Sequence, residues 1–238
     1  MYYRINTTTG GKVLNQKIIS YIKNNPKSIS FLLKIYRNTL GFNRKKIDLK
    51  NSVDIGSVLV RKTRFFISGV NNTIIIKDLS RLINCNIHVY GNNNRIVINE
   101  RVYLNNVGFW IEDDNNEISI GEHTSISGTT HLAAIEGTSI TIGNDCMLSS
   151  DIQFRTGDSH SILDLKGKRL NASEDISIGN HVWVGSKVIC LKGMHIGNNC
   201  ILGTSSLVNK KFYEENVIIA GNPARIVKNE IDWSRQRI

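Results

Sequence analysis

The regular recurrence of isoleucine is the feature that most constrains how this chain can fold. Short Asn-rich segments precede Ile-x-Ile units, as in NNTIII, NNRIVI and NNEISI. The last isoleucines of successive units are 22 residues apart, at Ile76, Ile98, Ile120 and Ile142. Within a unit, apolar residues also recur every six positions, as at Ile98, Leu104 and Trp110.

A period of six fits neither an α-helix nor a flat strand, which favour periods of about 3.6 and 2. Three short strands joined by corners satisfy the period when each strand points one apolar side chain inward. Such strands form one triangular coil, and stacked coils form a parallel β-solenoid. The coil from Ile178 to Ile196 has 18 residues, and the 22-residue units add four more at the Asn-rich corner. Asn and Gly suit corners because they tolerate positive φ.

One interruption breaks this pattern between Ile142 and Ile178, which are 36 residues apart. Two plain coils would point His160, Lys166 and Ala172 inward, and burying an unpaired lysine is costly. The sequence therefore predicts one coil with a loop of about 15 to 18 residues, at about 155–175. Loops of that length without structure of their own are uncommon and usually functional.

The two ends of the chain depart from the repeat. KVLNQKIISYIKNN and KSISFLLKIYRNTL are typical of two short amphipathic helices separated by Pro26. We predict a basic, mostly helical segment over 1–50 and a β-helix over 51–210. Residues 211–238 are expected to fold back over the last coil.

The net charge of +10 comes from one part of the chain. Residues 1–50 contain eleven Lys or Arg and one acid, whereas the other 188 residues contain nineteen of each sign. The neutral body predicts no nucleic-acid binding. The basic head either binds an anionic membrane surface or caps a trimer with its lysines in solvent.

Four cysteines, none in a CxxC spacing, are expected to be reduced core residues. They are Cys85, Cys146, Cys190 and Cys200. No apolar run approaches the roughly 20 residues of a transmembrane helix, and no signal peptide is apparent. A cytoplasmic location, at the inner face of the membrane if the basic head binds there, is therefore expected.

Several motifs follow one another in a distinctive order between residues 142 and 227. A histidine in a loop precedes ISIGNHVWVGSKV, ILGTSSLVNKKF and NVIIAGNPARIV. Over residues 90 to 233 this order resembles the hexapeptide-repeat acyltransferases, in particular the polysaccharide and polysialic acid O-acetyltransferases and the galactoside/maltose acetyltransferases. The resemblance implies an all-β core, a left-handed parallel β-helix with a short N-terminal helical segment and the protruding loop.

The resemblance also implies that His160 is the catalytic base. Imidazole titrates near neutral pH, so it can remove a proton from a sugar hydroxyl that attacks a thioester. Asp158 or a backbone carbonyl would orient the ring. Trp183 would wall the reaction slot and exclude water. The alternatives are a solvated loop histidine and a tryptophan that packs between subunits.

Acetyl-CoA is the implied acyl donor. The family's contacts fall on Gly185, Ser186, Gly203, Thr204, Asn209, Lys210 and Arg225. Lys210 and Arg225 are expected to bind phosphate groups, although surface charge and corner geometry also explain the cations and the glycines. No metal is expected, because His123, His131, His181 and His195 lack the spacing of a zinc site.

The implied acceptor is a sugar hydroxyl of a bacterial capsule, O-antigen or exopolysaccharide, as polymer or as lipid- or nucleotide-linked precursor. His131 and Glu136, on the coil before the loop, are candidates for binding it. Amino-sugar nucleotides, serine or an antibiotic hydroxyl are alternative acceptors, and a non-catalytic binding or assembly module is an alternative of another class. The family implies a homotrimer with active sites between subunits.

Overall fold

A computed structural model describes residues 26–41 and 43–237, and the first predicted helix lies outside them. The second helix is confirmed as α1 (Pro26–Thr39). It lies against the first coil, where Nη1 of Arg37 is 3.4 Å from the carbonyl oxygens of Ile55 and Gly56. Phe31 on the same helix is 63% exposed. None of the described helices is both long and apolar enough to span a bilayer.

The remaining described chain forms a parallel β-helix of eight coils with three faces. The first face contains β1 (Arg44–Ile47), β4 (Arg64–Ser68), β7 (Asn86–Tyr90), the second halves of β9 (Tyr103–Glu112) and β11 (Ser125–Ile135), β14 (Ile152–Arg155), β17 (Ile189–Leu191) and β20 (Leu207–Val208). The second face contains β2 (Ser52–Ile55), β5 (Thr73–Ile76), β8 (Arg95–Ile98), β10 (Glu117–Ile120), β12 (Ser139–Ile142), β15 (Ile176–Ile178), β18 (His195–Ile196) and β21 (Lys211–Phe212). The third face contains β3 (Leu59–Arg61), β6 (Arg81–Ile83), the first halves of β9 and β11, β13 (Met147–Leu148), β16 (Trp183–Val184), β19 (Ile201–Leu202) and β22 (Ile218–Gly221). A last strand, β23 (Ala224–Lys228), is antiparallel to β22.

The 22-residue period is confirmed as the register between neighbouring coils. Ile76, Ile98, Ile120 and Ile142 are direct partners in one inward column. All four are buried, so the interior is a continuous stack of aliphatic side chains. The four cysteines lie in the same interior as free thiols. Burial raises the pKa of the Cys85 and Cys146 thiols to about 11, which keeps them protonated.

Buried asparagines hold the corner between the first and second faces. Oδ1 of Asn72 accepts from the backbone N–H of Asn94 at 2.9 Å, and Oδ1 of Asn94 accepts from that of Asn116 at 2.8 Å. The residue before each of them has positive φ, with values of 58°, 58° and 62° at Asn71, Asn93 and Asn115. The asparagine side chains therefore accept hydrogen bonds from buried backbone N–H groups at corners where the preceding residue has positive φ.

The β-helix extends beyond the predicted range of 51–210 at both ends. It begins with β1 at Arg44, and β21 and β22 continue the winding to Gly221. The fold-back accordingly starts near Ala224, later than residue 211. Charged side chains in β1 and two-residue strands in the last coils weaken the apolar repeat there, which explains the difference.

Candidate active site

The loop that was predicted at 155–175 leaves the β-helix between β14 and β15. Gln153 pairs with Ile189, 36 residues later, whereas Ile189 pairs with Leu207 after only 18. The intervening residues thus form one coil plus an excursion, as the cost of burying Lys166 predicted. Lys166 is exposed near the tip, where Leu163 and Arg169 form an isolated antiparallel bridge.

Buried groups fix the base of the loop. The backbone N–H of Thr156 donates to Ala133 O at 3.1 Å, and the Thr156 hydroxyl accepts a hydrogen bond from Thr138 Oγ1 at 2.6 Å. A Cβ at Gly157 would collide with Ser173 and Ile135. Any larger residue at position 157 would therefore require the side chains of Ser173 and Ile135 to move.

Asn171 is a buried loop residue whose contacts the sequence did not reveal. Its side chain is buried, and Nδ2 donates to Asp158 Oδ2 and to the carbonyl of His160, both at 2.8 Å. Its Oδ1 accepts from the backbone N–H of Ile162 at 2.7 Å. The side-chain amide of Asn171 thus holds residues 158, 160 and 162 of the loop.

Asp158 supports the loop through other partners than the imidazole. Its Oδ2 is 2.5 Å from Lys192 Nζ, and this ammonium group together with Asn171 lowers the pKa of the Asp158 carboxyl. Among the described residues, the His160 ring has no hydrogen-bond partner within the protomer. The structure thus places Asp158 between Lys192 and Asn171, and not in contact with the ring, which was one of the two alternatives for orienting it.

His160 is exposed and follows Ser159, which has φ 64°. The same left-handed conformation recurs at the corners of the β-helix, as at Asn71 and Asn93, so at Ser159 it marks a turn of the loop. The contacts of Asp158 and Asn171 hold the chain on both sides of this turn.

A cavity of about 270 Å³ lies at the foot of the loop on the first face. Its lining includes Trp110, Glu112, His131, Ala133, Arg155 and Ser159. Burial, and secondarily the charge of Arg155, lowers the pKa of His131. A neutral imidazole, a guanidinium and a carboxylate thus surround a space next to the residue that precedes His160.

Glu136, the second candidate for binding an acceptor, does not line this cavity. Its carboxylate is 2.9 Å from Nη2 of Arg169 and accepts from Ser173 Oγ at 2.7 Å. The hydrogen bond from Arg169 is the main cause that lowers the pKa of Glu136. Glu136 therefore ties the returning arm of the loop to the coil before it.

Trp183 lies outward on the third face and is 39% exposed. The loop leaves from the corner between the first and second faces, which is the corner opposite the third face. His160 and Trp183 are therefore on opposite sides of one triangular coil. A single protomer does not bring them together.

The predicted donor-binding residues form two separate groups. Gly185, Ser186, Gly203 and Thr204 follow β16 and β19 at the corner between the third and first faces. A Cβ at Gly185 would lie 2.8 Å from Thr204 N, and one at Gly203 would lie 2.7 Å from Ala220 Cβ. Tight stacking of coils therefore accounts for both glycines.

The second group lines a cavity of about 530 Å³ near the last coil. Asn209, Lys210 and Arg225 meet there, next to Lys211. Within the described part of the chain, neither Lys210 nor Arg225 forms an ion pair with a carboxylate. Their donors remain available for an anionic group such as a phosphate.

A segment after β23 returns to the third face and contacts the neighbourhood of Trp183. Trp233 stacks on His181 with ring centroids 4.2 Å apart, and it lies 6.2 Å from Trp183. Its indole N–H donates to His181 O at 2.8 Å. Nδ1 of His181 is 2.8 Å from Asp145. No pattern in the sequence signals the packing of Trp233 on His181, which joins positions 52 residues apart.

Comparisons with known proteins agree with this architecture. No protein-family model matches the chain. It is 38% identical over 95 residues to a polysialic acid O-acetyltransferase of Escherichia coli O1:K1 and 35% identical over 96 residues to one of Neisseria meningitidis. These segments cover 40% of this chain in each case, but 31% and 45% of the two relatives.

Structural comparison extends the likeness along most of the chain. A crystallographically analysed polysialic acid O-acetyltransferase superposes with a TM-score of 0.79 and 33% identity. The match covers 82% of this chain and 92% of that one. It therefore includes the β-helix on both sides of the loop.

Proposed function

The chain belongs to the hexapeptide-repeat acyltransferases, whose fold is a left-handed β-helix, and from this membership we propose that it is an acetyl-CoA-dependent O-acetyltransferase. The proposed acceptor is a sugar hydroxyl of a bacterial surface polysaccharide. The observation that carries the proposal is the His160 loop, which interrupts an otherwise continuous β-helix beside a polar cavity.

We assign His160 as the general base. Its imidazole accepts the proton of the sugar hydroxyl while the hydroxyl oxygen attacks the thioester carbonyl. The carbon–sulfur bond then breaks, the thiolate of CoA takes the proton from the imidazolium, and an acetyl ester remains on the sugar. No acyl-enzyme is required, since both substrates bind together. In the cavity, His131 and Arg155 would position the sugar.

The active site is proposed to lie between two protomers of a homotrimer. His160 and Trp183 are on opposite sides of each coil, so His160 can meet Trp183 only when a neighbour supplies it. The loop supports the same conclusion, because it exposes four large apolar side chains. These are Ile162, Leu163, Leu165 and Leu170, between 55% and 107% exposed in the single protomer. A neighbouring subunit would cover such a surface.

Acetyl-CoA is proposed to extend from this slot towards the last coil. Lys210 and Arg225 would bind its phosphate groups, with Asn209 beside them. Ser186 and Thr204 would contact the pantetheine part at the corner between the third and first faces. Trp183 would exclude water from the thioester and so limit its hydrolysis.

The basic segment 1–50 is proposed to act near the cytoplasmic face of a membrane, where glycan precursors are assembled. Its described part exposes Phe31, Leu32 and Ile35 on α1. Basic and apolar side chains together favour an anionic bilayer surface. The alternative for the same segment is a cap on the trimer.

Release of free thiol from acetyl-CoA, measured with a panel of bacterial polysaccharides, tests the proposal. We expect transfer to at least one polysaccharide, and a loss of about 100- to 10,000-fold in kcat for His160→Ala, which removes general-base catalysis. The exposed loop residue Lys166, changed to Ala, is the matched control and should retain activity. CoA binding without transfer to any member of the panel would refute the acceptor class. Full activity of His160→Ala would refute the assigned base.

A further inference from the structure

Aromatic side chains form a continuous ladder on the outward side of the first face. Phe66, His88 and Trp110 are register partners on three successive coils, and Tyr90 lies in the adjacent column. The ring centroids of Phe66 and His88 are 5.9 Å apart, and those of His88 and Trp110 are 5.7 Å apart. Tyr90 packs at 5.3 Å from Phe66 and 5.1 Å from Trp110.

These four side chains are not part of the interior, which is filled by the alternate residues of the same strands. Phe65, Ile87, Val89 and Phe109 point inward and are almost fully buried. The ladder residues are only partly buried, and Lys46 Nζ lies 5.0 Å from the centroid of the Phe66 ring. Polar groups accompany the rings: Tyr90 OH is 3.5 Å from His88 Nδ1, and the Trp110 indole donates to Glu112 Oε2 at 3.1 Å. An apolar surface with polar edges suits a ligand of the same character.

The ladder ends at the cavity beside the His160 loop. In the column that contains Trp110, the next residues are Ala133 and then Arg155. Ala133, whose side chain is only a methyl group, lies at the floor of the cavity, and the ring of Trp110 forms its wall. A chain bound in the cavity can therefore continue along Trp110, His88 and Phe66 towards the first coil.

We propose that this ladder binds the acceptor polysaccharide as an extended chain, beyond the sugar that is acetylated. The inference rests on the proposed function and deepens it. Pyranose rings present apolar C–H faces and polar hydroxyl edges, which match stacked aromatic rings with polar neighbours. Successive rungs are about 4.8 Å apart along the β-helix, so the ladder supports more than one sugar ring. It makes binding depend on polymer length without contacting the reacting hydroxyl.

Calorimetric titration with polysialic acid and with a short oligomer of the same sugar tests the ladder. We expect the double variant Phe66→Ala/His88→Ala to raise the Kd of the polymer about tenfold, since two stacking contacts are lost. The Kd of the short oligomer and of acetyl-CoA should be unchanged. Tyr213→Ala is the matched control, because Tyr213 is an exposed aromatic residue (68%) outside the ladder.

The outcomes separate the ladder from the proposed reaction. The proposal that the ladder binds the polymer is overturned if wild type and double variant bind the polymer with equal affinity. It is also overturned if the wild type does not bind the polymer. Ladder-dependent binding without thiol release from acetyl-CoA overturns the reaction and leaves the ladder standing. Dissociation of the trimer in the double variant, measured by sedimentation at an unchanged Tm, would assign the ladder to contact with a second copy and overturn the proposal.

Discussion

At the scale of single residues, the exposed His160 depends on a buried amide for its position. The Asn171 side chain forms hydrogen bonds with Asp158 and with the backbone N–H of Ile162, two residues before and two residues after His160. It also donates to the carbonyl oxygen of His160. Lys192 and Arg169 then hold Asp158 and Glu136, so that each arm of the loop is tied to a coil. Catalysis by a positioned base requires this order, because small displacements of a reacting group are costly.

Replacing Asn171 by Ala should therefore lower kcat about 100-fold, as expected for a displaced catalytic group. The KM for acetyl-CoA should change little, since Asn171 is remote from the proposed phosphate-binding residues. Steady-state kinetics of Asn171→Ala beside Lys166→Ala measures this effect. An unchanged kcat would show that the loop positions His160 without the amide.

The sequence predicted the loop that carries His160, but not the contacts that hold the loop. The inference came from a broken period and from the cost of turning Lys166 inward, both of which are local arguments. The contact of Asp158 with Lys192 joins residues 34 positions apart. That contact follows from the path of the loop, and no periodicity in the chain encodes the path.

At the scale of elements, the strands and corners were predictable because one short pattern specifies both. The inward isoleucine columns and the Asn72–Asn94–Asn116 series repeat with the same period of 22. The returning segment around Trp233 has no repeat of its own. Its packing on His181 and beside Trp183 became visible only in three dimensions.

Trp233→Ala should destabilise this returning segment and loosen Trp183. Trp233 is 7% exposed, and truncation of a buried aromatic residue typically costs about 3–5 kcal/mol. Urea unfolding should show a loss near the lower end of that range, because the segment is peripheral, together with a reduced kcat. Trp233→Phe keeps the stacking and should lose less. Equal stability of Trp233→Ala and wild type would show that the segment does not brace the third face.

At the scale of the whole molecule, the geometry of a three-faced coil separates the two main catalytic candidates. The loop occupies the corner opposite the face that carries Trp183. A closed ring of three copies resolves this separation, because the corner that carries the loop in each copy can meet the third face of the next copy. The central claim is therefore that every active site contains His160 of one protomer and Trp183 of its neighbour.

Complementation between two inactive variants tests that claim most directly. His160→Ala and Trp183→Ala chains are unfolded together, refolded as mixed trimers, and assayed for thiol release with an accepted polysaccharide. Each variant alone should be nearly inactive, and an equal mixture should recover about a quarter of the wild-type turnover, the statistical fraction of sites with both residues intact. Mixed trimers that show no recovery would contradict a site shared between protomers.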